Sequence, residues 1–281
     1  MSLPLISVIV LTKNSSKTLD SCLDSVKNQS YSNVELVIVD SQSTDDTINI
    51  AQKYSAKIIK TDWKLLGARY LGFDKSNGDY ILYLDSDQLL YPDTIQCSVA
   101  YVDSYDMLCL QEESYEAKSI LQKLIDADRK LIHSFPDLHV DPMRGAMIPR
   151  FYKRTLLDMV FKKIEPSKIH NVVFFDDSII YYEAYSMSTK VGIVNKAIMH
   201  IDTSSILDFC RKSYCYGNTT QQLLKTDMYT KLLKRKARLR QGISFNLISI
   251  KSIILFLLKN IPFFIGVLVG RVTTIRHQKI K

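Results

Sequence analysis

Two pairs of carboxylates in this chain have neighbours that favour metal binding or proton transfer. Asp85 and Asp87 follow the apolar run YILYL, and two carboxylates on alternate residues at a strand end can jointly bind a hard divalent cation such as Mg²⁺ or Mn²⁺. Asp176 and Asp177 follow two phenylalanines, and like charges beside apolar side chains raise the pKa of at least one of them, which suits a general base. A solvated turn and an acidic helix N-terminus are the alternatives for the two pairs.

Three further side chains are candidates for binding. Asp40 ends the apolar run VELVIV and could accept a hydrogen bond from a nucleobase or a ribose hydroxyl, or it could shape its own loop as an Asx-turn residue. Arg69 lies near the start of a predicted helix, where a guanidinium suits a phosphate or a base edge, although a surface arginine is the simpler reading. His200 lies at the end of a short predicted strand and is either a metal ligand or a structural histidine.

Strands and helices alternate through the first half of the chain. Short apolar, β-branched runs are typical of buried parallel strands, and the intervening segments show helical spacing of their apolar residues. The predicted strands are Leu5–Leu11, Val34–Val39, Ala56–Lys60, Tyr80–Leu84 and Asp106–Leu110, and the helices between them begin near Ser15 or Ser16, Thr44, Leu65 and Pro92. This order predicts an α/β fold with a mostly parallel central sheet flanked by helices.

The polar residues fall where such a sheet binds its ligands. Ligands of open α/β sheets bind at the carboxyl ends of the strands. Thr12 and Asn14 follow the first predicted strand, Asp40 the second and Asp85 the fourth. We therefore expect these side chains to share one edge of the sheet.

The second half of the chain is less regular. An amphipathic helix is predicted over 118–132, strands over 146–148, 191–194 and 197–201, a helical stretch over 174–185, and helix from residue 204 onward. Loops are predicted around 104–116 and 140–150, and Arg144 in the second of them is a further candidate for contact with a ligand.

Composition narrows the class of protein. The 281 residues are 46% hydrophobic and 23% charged, as in ordinary globular proteins, which excludes a disordered chain. The five cysteines include no C-x-x-C pair, so neither a disulfide framework nor a zinc site is indicated. The net charge of +8 comes from residues 231–281, which hold twelve Lys or Arg and no acid. A uniformly basic nucleic-acid binder is disfavoured for that reason.

The C-terminal residues have the composition of a membrane-surface segment. Six of the ten residues 231–240 are Lys or Arg, and the apolar stretch 243–270 follows. Lys251, Lys259 and Pro262 interrupt that stretch, so an amphipathic helix of interfacial type is favoured over a spanning helix. Its apolar stripe is predicted at Ile243, Leu247, Ile250, Ile254, Leu257 and Leu258, with Ser244, Lys251, Ser252 and Lys259 on another face. Packing on the catalytic domain or in a homodimer is the alternative.

Four segments, in this order, resemble the family 2 glycosyltransferases, which are inverting enzymes with the GT-A fold. They are SVIVLTKN with Thr12, VELVIVDSQSTDDT with Asp40, GARYLGFDKSNGDYILYLDSD with Arg69 and the D-x-D residues Asp85 and Asp87, and FFDD with Asp176 and Asp177. The chain departs from the family at Gln42, where relatives often have Gly, at Tyr70 and at Gln88.

The resemblance implies a metal-dependent enzyme that transfers a sugar, with inversion, from a UDP- or GDP-sugar to a hydroxyl or phosphate of an acceptor such as a glycan. The basic, apolar tail adds the expectation that the acceptor is lipid-linked. The resemblance also implies that Asp40 binds the nucleotide, that Asp85 and Asp87 bind Mn²⁺ or Mg²⁺, and that Asp177, with Asp176 beside it, is the base. Thr12, Asn14, Arg69 and Asp85 are the other candidates for binding the nucleotide sugar, and His200 is a further candidate metal ligand. The tail adds the expectation of a peripheral protein on the cytoplasmic face of the cell membrane. The expected organisation is a GT-A domain over 1–225 and a membrane-associating helical tail over 226–281.

Two other functions are considered. A sugar-phosphate nucleotidylyltransferase would need a glycine-rich phosphate loop after the first strand, and residues 11–15 contain no glycine. A non-catalytic membrane scaffold that keeps the fold is the alternative from another class, and the presence of Asp85, Asp87 and Asp177 argues against it.

Overall fold

A computed structural model describes residues 3–133, 140–142, 147–164, 169–170, 172–224, 229 and 247–279. The chain divides into two compact units. The first comprises Met1–Tyr115 and Leu138–Ile201, and the second comprises Glu116–Asp137 and Asp202–Lys281. The predicted domain boundary near residue 225 stays a prediction, and the compact units are divided at residue 202 instead.

The first unit is built on one eight-stranded sheet. Its strands are β1 (Ile6–Thr12), β2 (Val34–Asp40), β3 (Lys57–Lys60), β4 (Tyr80–Asp85), β5 (Gln88–Leu90), β6 (Met107–Ser114), β7 (Phe151–Lys153) and β8 (Val191–His200). They lie in the order β3-β2-β1-β4-β7-β6-β8-β5. The pairs β1–β2, β1–β4, β2–β3 and β6–β8 are parallel, and β7 and β5 pair antiparallel with their neighbours.

The helices described in the structure belong to both units. Those of the first unit are α1 (Leu19–Lys27), α2 (Thr47–Gln52), α3 (Leu65–Asp74), α4 (Thr94–Val99), α6 (Arg154–Lys163) and α7 (Asp176–Met187). Those of the second unit are α5 (Ile120–His133), α8 (Ile206–Leu224) and α9 (Leu247–Lys279).

The predicted α/β architecture is confirmed, with differences in the second half. All seven residues of β1 are buried, as its β-branched sequence predicts. The strand predicted over 146–148 is wrong for Met147 and Ile148, which precede β7; Ala146 lies outside the described residues. The strand instead forms where Phe151 meets Leu82 on one side and Leu108 on the other, because pairing with two neighbours decides its position.

Strand register brings the polar strand ends to one edge of the sheet. β1 lies between β2 and β4, with Thr12 opposite Asp40 and Leu11 opposite Asp85. β5 turns back directly after the D-x-D and places Gln88 opposite His200 at the end of β8. The expectation of a shared edge is therefore confirmed.

In the second unit, a buried ion pair connects α5 to the segment that precedes α8. Arg129 on α5 donates to both carboxylate oxygens of Asp202, at 2.7 and 2.9 Å. A small apolar cluster formed by Leu121, Leu124 and Leu255 joins α5 to α9. These contacts make the C-terminal helix part of a three-helix unit.

Close backbone contact joins α8 to α9. A Cβ atom added at Gly266 would lie 2.1 Å from Tyr214 O, and one added at Gly217 would lie 1.9 Å from Phe263 O. At Gly270 the nearest backbone atom is Asn218 O, at 2.6 Å. Only glycine permits backbones to approach this closely, which is the packing mode of small residues spaced four apart.

The helix α9 continues through Pro262. Proline lacks the N–H that would donate to the carbonyl of Leu258, four residues earlier. The thiol of Cys210 on α8 lies 3.8 Å from that carbonyl oxygen and donates to it. A contact from the neighbouring helix thus partly replaces the missing bond.

One face of α9 is apolar and exposed. Its exposed residues recur at helical spacing: Ile250, Ile253, Ile254, Leu257, Ile261, Phe264, Ile265 and Leu268. The opposite face, with Ser252, Leu255, Gly266 and Gly270, is buried. By length and composition, Ile250–Arg271 could cross a membrane, as could the core helices of many soluble proteins. Only 17% of its apolar segment of 18 residues is buried.

Replacing Gly266 by leucine is expected to lower the free energy of unfolding of the second unit by about 1–3 kcal/mol, because overpacking forces α8 away from α9. Chemical denaturation of the purified variant measures this change. Val269→Leu, on the exposed side of α9, is the matched control and should unfold like the unsubstituted protein. Equal stability of the two variants would contradict the close contact.

Candidate active site

The loops after β1 and β2 are joined through Asp40. The hydroxyls of Thr12 and Ser43 donate to Asp40 Oδ1, at 2.9 and 2.5 Å, and the backbone N–H of Ser43 donates to Oδ2 at 2.9 Å. Asn14 also connects the two loops, because its Oδ1 accepts a hydrogen bond from Thr44 N at 2.8 Å. Thr12, Asn14 and Asp40 therefore lie together as predicted, and Asp40 shapes its loop as the Asx-turn alternative describes.

Gln42 is in the left-handed backbone region, with φ 58°. Relatives often have glycine at this position of the motif, and glycine adopts that conformation without a steric penalty. Gln42 therefore adopts a conformation that is strained for a residue other than glycine. The hydrogen bonds of Asp40 to Ser43 supply part of the compensation.

Arg69 is buried between two acidic residues. Its Nε donates to Asp176 Oδ2 at 2.5 Å, its Nη2 lies 3.3 Å from Asp85 Oδ1, and only 4% of the residue is exposed. Although burial opposes the change, the charges of Asp176 and Asp85 raise the pKa of Arg69. The surface-arginine reading is thus wrong, because this side chain joins α7 to the D-x-D.

The acidic pair at the start of α7 is divided between two environments. Asp176 is buried with Arg69, and Asp177 is partly exposed and lines a small cavity. Burial raises the pKa of Asp176, the Arg69 guanidinium opposes that rise, and the charge of Asp177 adds to it. The preceding residue, Phe175, has φ 66°, a rare conformation for an aromatic residue that is typical of functional sites.

Asp85 belongs to a closed ring of hydrogen bonds. Arg150 Nη1 lies 3.1 Å from Asp85 Oδ2, and Arg150 Nε donates to Glu112 Oε1 at 2.8 Å. Gln88 Nε2 donates to the same Glu112 oxygen at 3.2 Å, and Gln88 Oε1 accepts from Asp85 N at 2.9 Å. The ring and Arg69 fix both carboxylate oxygens of Asp85.

Asp87 and His200 face each other at the ends of β4 and β8. His200 Nε2 lies 3.4 Å from Asp87 Oδ1, and Ile201 N donates to Asp87 O at 2.8 Å. A carboxylate and an imidazole are suitable ligands for Mn²⁺. Within the residues that the structure describes, no three acidic, histidine or cysteine side chains are grouped closely enough to hold a metal by themselves.

A small cavity adjoins the base candidate. Its lining includes Arg69, Tyr83, Arg150, Tyr152 and Asp177, and its size is about that of one water molecule. The hydroxyl of Tyr83 donates to Arg69 O at 3.1 Å. Four side chains at this site were absent from the sequence-based candidates: Gln88, Glu112, Arg150 and Tyr152. Arg144, which the sequence analysis did name, lies outside the described residues.

A family model and several known glycosyltransferases match this chain. The model of Glycosyl transferase family 2 matches residues 7–147. The chain is 27% identical over 215 residues to the uncharacterized glycosyltransferase RC0292 of Rickettsia conorii, covering 76% of this chain and 68% of that protein. It is 32% identical over 114 residues to a PGL/p-HBAD biosynthesis glycosyltransferase of Mycobacterium bovis, covering 38% and 44%.

A further relative is the Bacillus subtilis protein EpsH, which is named as a glycosyltransferase. It is 25% identical over 228 residues, covering 75% of this chain and 65% of EpsH. The chain thus matches between 44% and 68% of the length of these three relatives.

Solved structures show the same fold. S. aureus TarS residues 1–349 match with a TM-score of 0.58 at 18% identity, over 94% of this chain and 81% of that one. Glucosyl-3-phosphoglycerate synthase from Mycobacterium tuberculosis, solved with Mn²⁺, UDP and phosphoglyceric acid, matches with a TM-score of 0.56 at 17% identity, over 85% and 81%. The chain has the GT-A fold and belongs to glycosyl transferase family 2, a family of transferase enzymes.

Proposed function

We propose that the protein transfers a sugar from a nucleoside-diphosphate sugar to an acceptor hydroxyl by a single inverting displacement. The acceptor oxygen attacks the anomeric carbon, the bond from that carbon to the diphosphate oxygen breaks, and the acceptor proton passes to Asp177. The nucleoside diphosphate leaves with the bonding electron pair. The observation that carries the proposal is the connection of Asp177 to the D-x-D, because Arg69 binds both its neighbour Asp176 and Asp85.

The nucleotide is expected at the edge formed by the loops after β1 and β2. A TarS structure contains UDP-GlcNAc, and the glucosyl-3-phosphoglycerate synthase structures contain UDP or UDP-glucose, which supports a nucleotide-sugar donor here. Thr12 and Asn14 would contact the nucleoside. Asp40 already accepts three hydrogen bonds, so its role is to hold the loop conformation and to offer its remaining acceptor site.

Asp87 and His200 would hold a divalent metal together with the donor diphosphate. Mg²⁺ and Mn²⁺ commonly use one or two protein side chains and complete their coordination with phosphate oxygens and water. When bound, such an ion neutralises the charge that develops on the diphosphate. Asp85, held by two arginines, would contact the donor instead of completing a three-residue metal site.

Asp177 is the better base of the two acids at α7. A base must reach the proton that it removes, and Asp177 lines the cavity while Asp176 is occupied by Arg69. Asp176 would hold Arg69, and through it Asp85, in position.

Replacing Asp177 by asparagine is expected to lower turnover at least ~100-fold, the usual cost of losing a general base, with little change in UDP affinity. Release of UDP from UDP-glucose and UDP-GlcNAc, with water as the acceptor, measures turnover, and calorimetry measures UDP binding. Asp176→Asn is the matched comparison and should reduce turnover less. A larger turnover loss in Asp176→Asn would assign the base to Asp176.

Replacing Asp87 by alanine is expected to weaken UDP binding in Mn²⁺ at least ~10-fold, to the level seen without Mn²⁺, because a protein ligand is lost. Calorimetric titration of UDP with and without Mn²⁺ measures the effect independently of turnover. Asp103→Ala, on an exposed loop, is the control. UDP affinity in Mn²⁺ that Asp87→Ala leaves unchanged would contradict the metal role.

We also propose that the exposed apolar face of α9 binds the surface of an anionic membrane, so that the enzyme is peripheral and acts on a lipid-linked acceptor at the cytoplasmic face. Contiguous exposed apolar stripes are rare on monomeric soluble proteins and indicate an interaction surface. Residues 231–281 carry twelve Lys or Arg without any acid, and each basic group near an anionic surface contributes about 1 kcal/mol. A homodimer is the competing occupant.

The packing of α9 favours a position in the plane of the membrane over one that crosses it. Contacts of Cys210 with Leu258 and of Asn218 with Gly270 place α8 alongside α9. The exposed residues of α8 include Arg211, Lys212 and Asn218. A spanning α9 would carry these polar groups into the hydrocarbon, where they are costly.

The double substitution Leu257→Asp with Ile261→Asp is expected to abolish binding to anionic liposomes, because it places two negative charges on the apolar stripe. Flotation with phosphatidylglycerol vesicles at low and high salt measures binding, and salt should weaken the attachment of the unsubstituted protein only in part. The control, Tyr101→Asp with Met159→Asp, changes two exposed apolar residues elsewhere. If the unsubstituted protein does not bind the vesicles at low salt and is dimeric by light scattering, the membrane hypothesis is wrong and the apolar face of α9 binds a second copy of the chain.

A further inference from the structure

Tyr152 carries a buried hydroxyl that has no hydrogen-bond partner among the described residues. The residue lies on β7, is 1% exposed, and its hydroxyl makes none of the hydrogen bonds seen for the other buried polar side chains around the site. Buried hydroxyls are nearly always paired, because an unpaired one has lost its water without compensation. An unpaired buried hydroxyl therefore indicates a functional role, such as binding a ligand.

The surroundings of Tyr152 connect it with the base. It lines the same cavity as Asp177, with Arg69, Tyr83 and Arg150 completing the wall. Burial raises the pKa of Tyr152 well above its usual value, and the negative charge of Asp177 adds to the rise. The cavity is about the size of one water molecule, and hence of one hydroxyl group.

The other polar side chains that line the cavity do have hydrogen-bond partners. Tyr83 also lines the cavity, and its hydroxyl donates to the backbone oxygen of Arg69 at 3.1 Å. Arg69 and Arg150 are likewise paired with carboxylates. Of the two tyrosines that line the cavity, Tyr152 is therefore the one whose hydroxyl has no hydrogen-bond partner among the described residues.

We infer that the Tyr152 hydroxyl and the Asp177 carboxylate together bind the attacking hydroxyl of the acceptor. This inference rests on the proposed transfer reaction. The acceptor oxygen would accept a hydrogen bond from the Tyr152 O–H, donate its own proton to Asp177, and attack the anomeric carbon with its remaining lone pair. Tyr152 keeps its proton throughout, the proton of the acceptor ends on Asp177, and the diphosphate leaves.

The test uses Tyr152→Phe in the full chain, with water as the acceptor and UDP-glucose as the donor. The variant should hydrolyse the donor about 3- to 10-fold more slowly, the worth of one hydrogen bond, with unchanged UDP affinity in Mn²⁺. Its thermal stability should equal or exceed that of the unsubstituted protein, since an unpaired buried hydroxyl has been removed. A hydroxyl with a merely structural role would give the reverse pattern, with lower stability and unchanged turnover.

Two further variants sharpen the test. Tyr83→Phe removes a hydroxyl that is paired, so it should lower stability. Tyr152→Phe added to Asp177→Asn should slow hydrolysis no further, because both groups act on the same hydroxyl. Equal turnover of Tyr152→Phe and the unsubstituted protein would overturn the inference and leave the transfer reaction standing. Unsubstituted protein without any donor hydrolysis or transfer would overturn both.

Discussion

The buried guanidinium of Arg69 is the constraint on which the site depends. A charge taken out of water is stable only if partners compensate its desolvation, and here the partners come from two distant parts of the chain, Asp85 on β4 and Asp176 on α7. Their pairing brings the start of α7 against the D-x-D and leaves Asp177 as the acid that faces the cavity. The division of labour between the two adjacent acids follows from this one ion pair.

The sequence is sufficient to predict the half of the site that parallel strands build. Thr12, Asp40 and Asp85 end buried strands, and the carboxyl ends of parallel strands meet at one edge. Gln88, Glu112 and Arg150 could not be predicted in the same way, because the ring that they form with Asp85 requires β7 to be inserted antiparallel between β4 and β6. That pairing joins segments far apart in sequence, and no local periodicity records it. The residues themselves indicated the acidic pair and the resemblance implied Asp177 as the base, whereas the ion pair of Asp176 with Arg69 and the cavity beside Asp177 required the structure.

The C-terminal helix shows a similar limit. Spacing at 100° per residue predicts an apolar stripe, and its members Ile250, Ile254 and Leu257 do share the exposed side. The prediction is wrong for Leu258, which is half-buried against the cluster of α5 and α9, and Ile243 lies outside the described residues. Which face would be covered was not predictable, because the cover depends on close backbone contact at Gly217, Gly266 and Gly270. Small residues carry little weight in a hydrophobic pattern, yet they determine which side of the helix packs on α8 and which side stays available to a partner.

The central claim is that one displacement, with Asp177 as base, accomplishes the transfer. Its most direct test is the configuration of the first-formed product. UDP-glucose carries an α-linked sugar, so proton NMR during its hydrolysis by the purified protein in Mn²⁺ should show β-glucose first, with the α-anomer appearing only as the free sugar equilibrates. Initial release of α-glucose would mean that the configuration is retained. Retention requires two successive displacements, or a reaction in which Asp177 is not the base of a single displacement, and either would contradict the account.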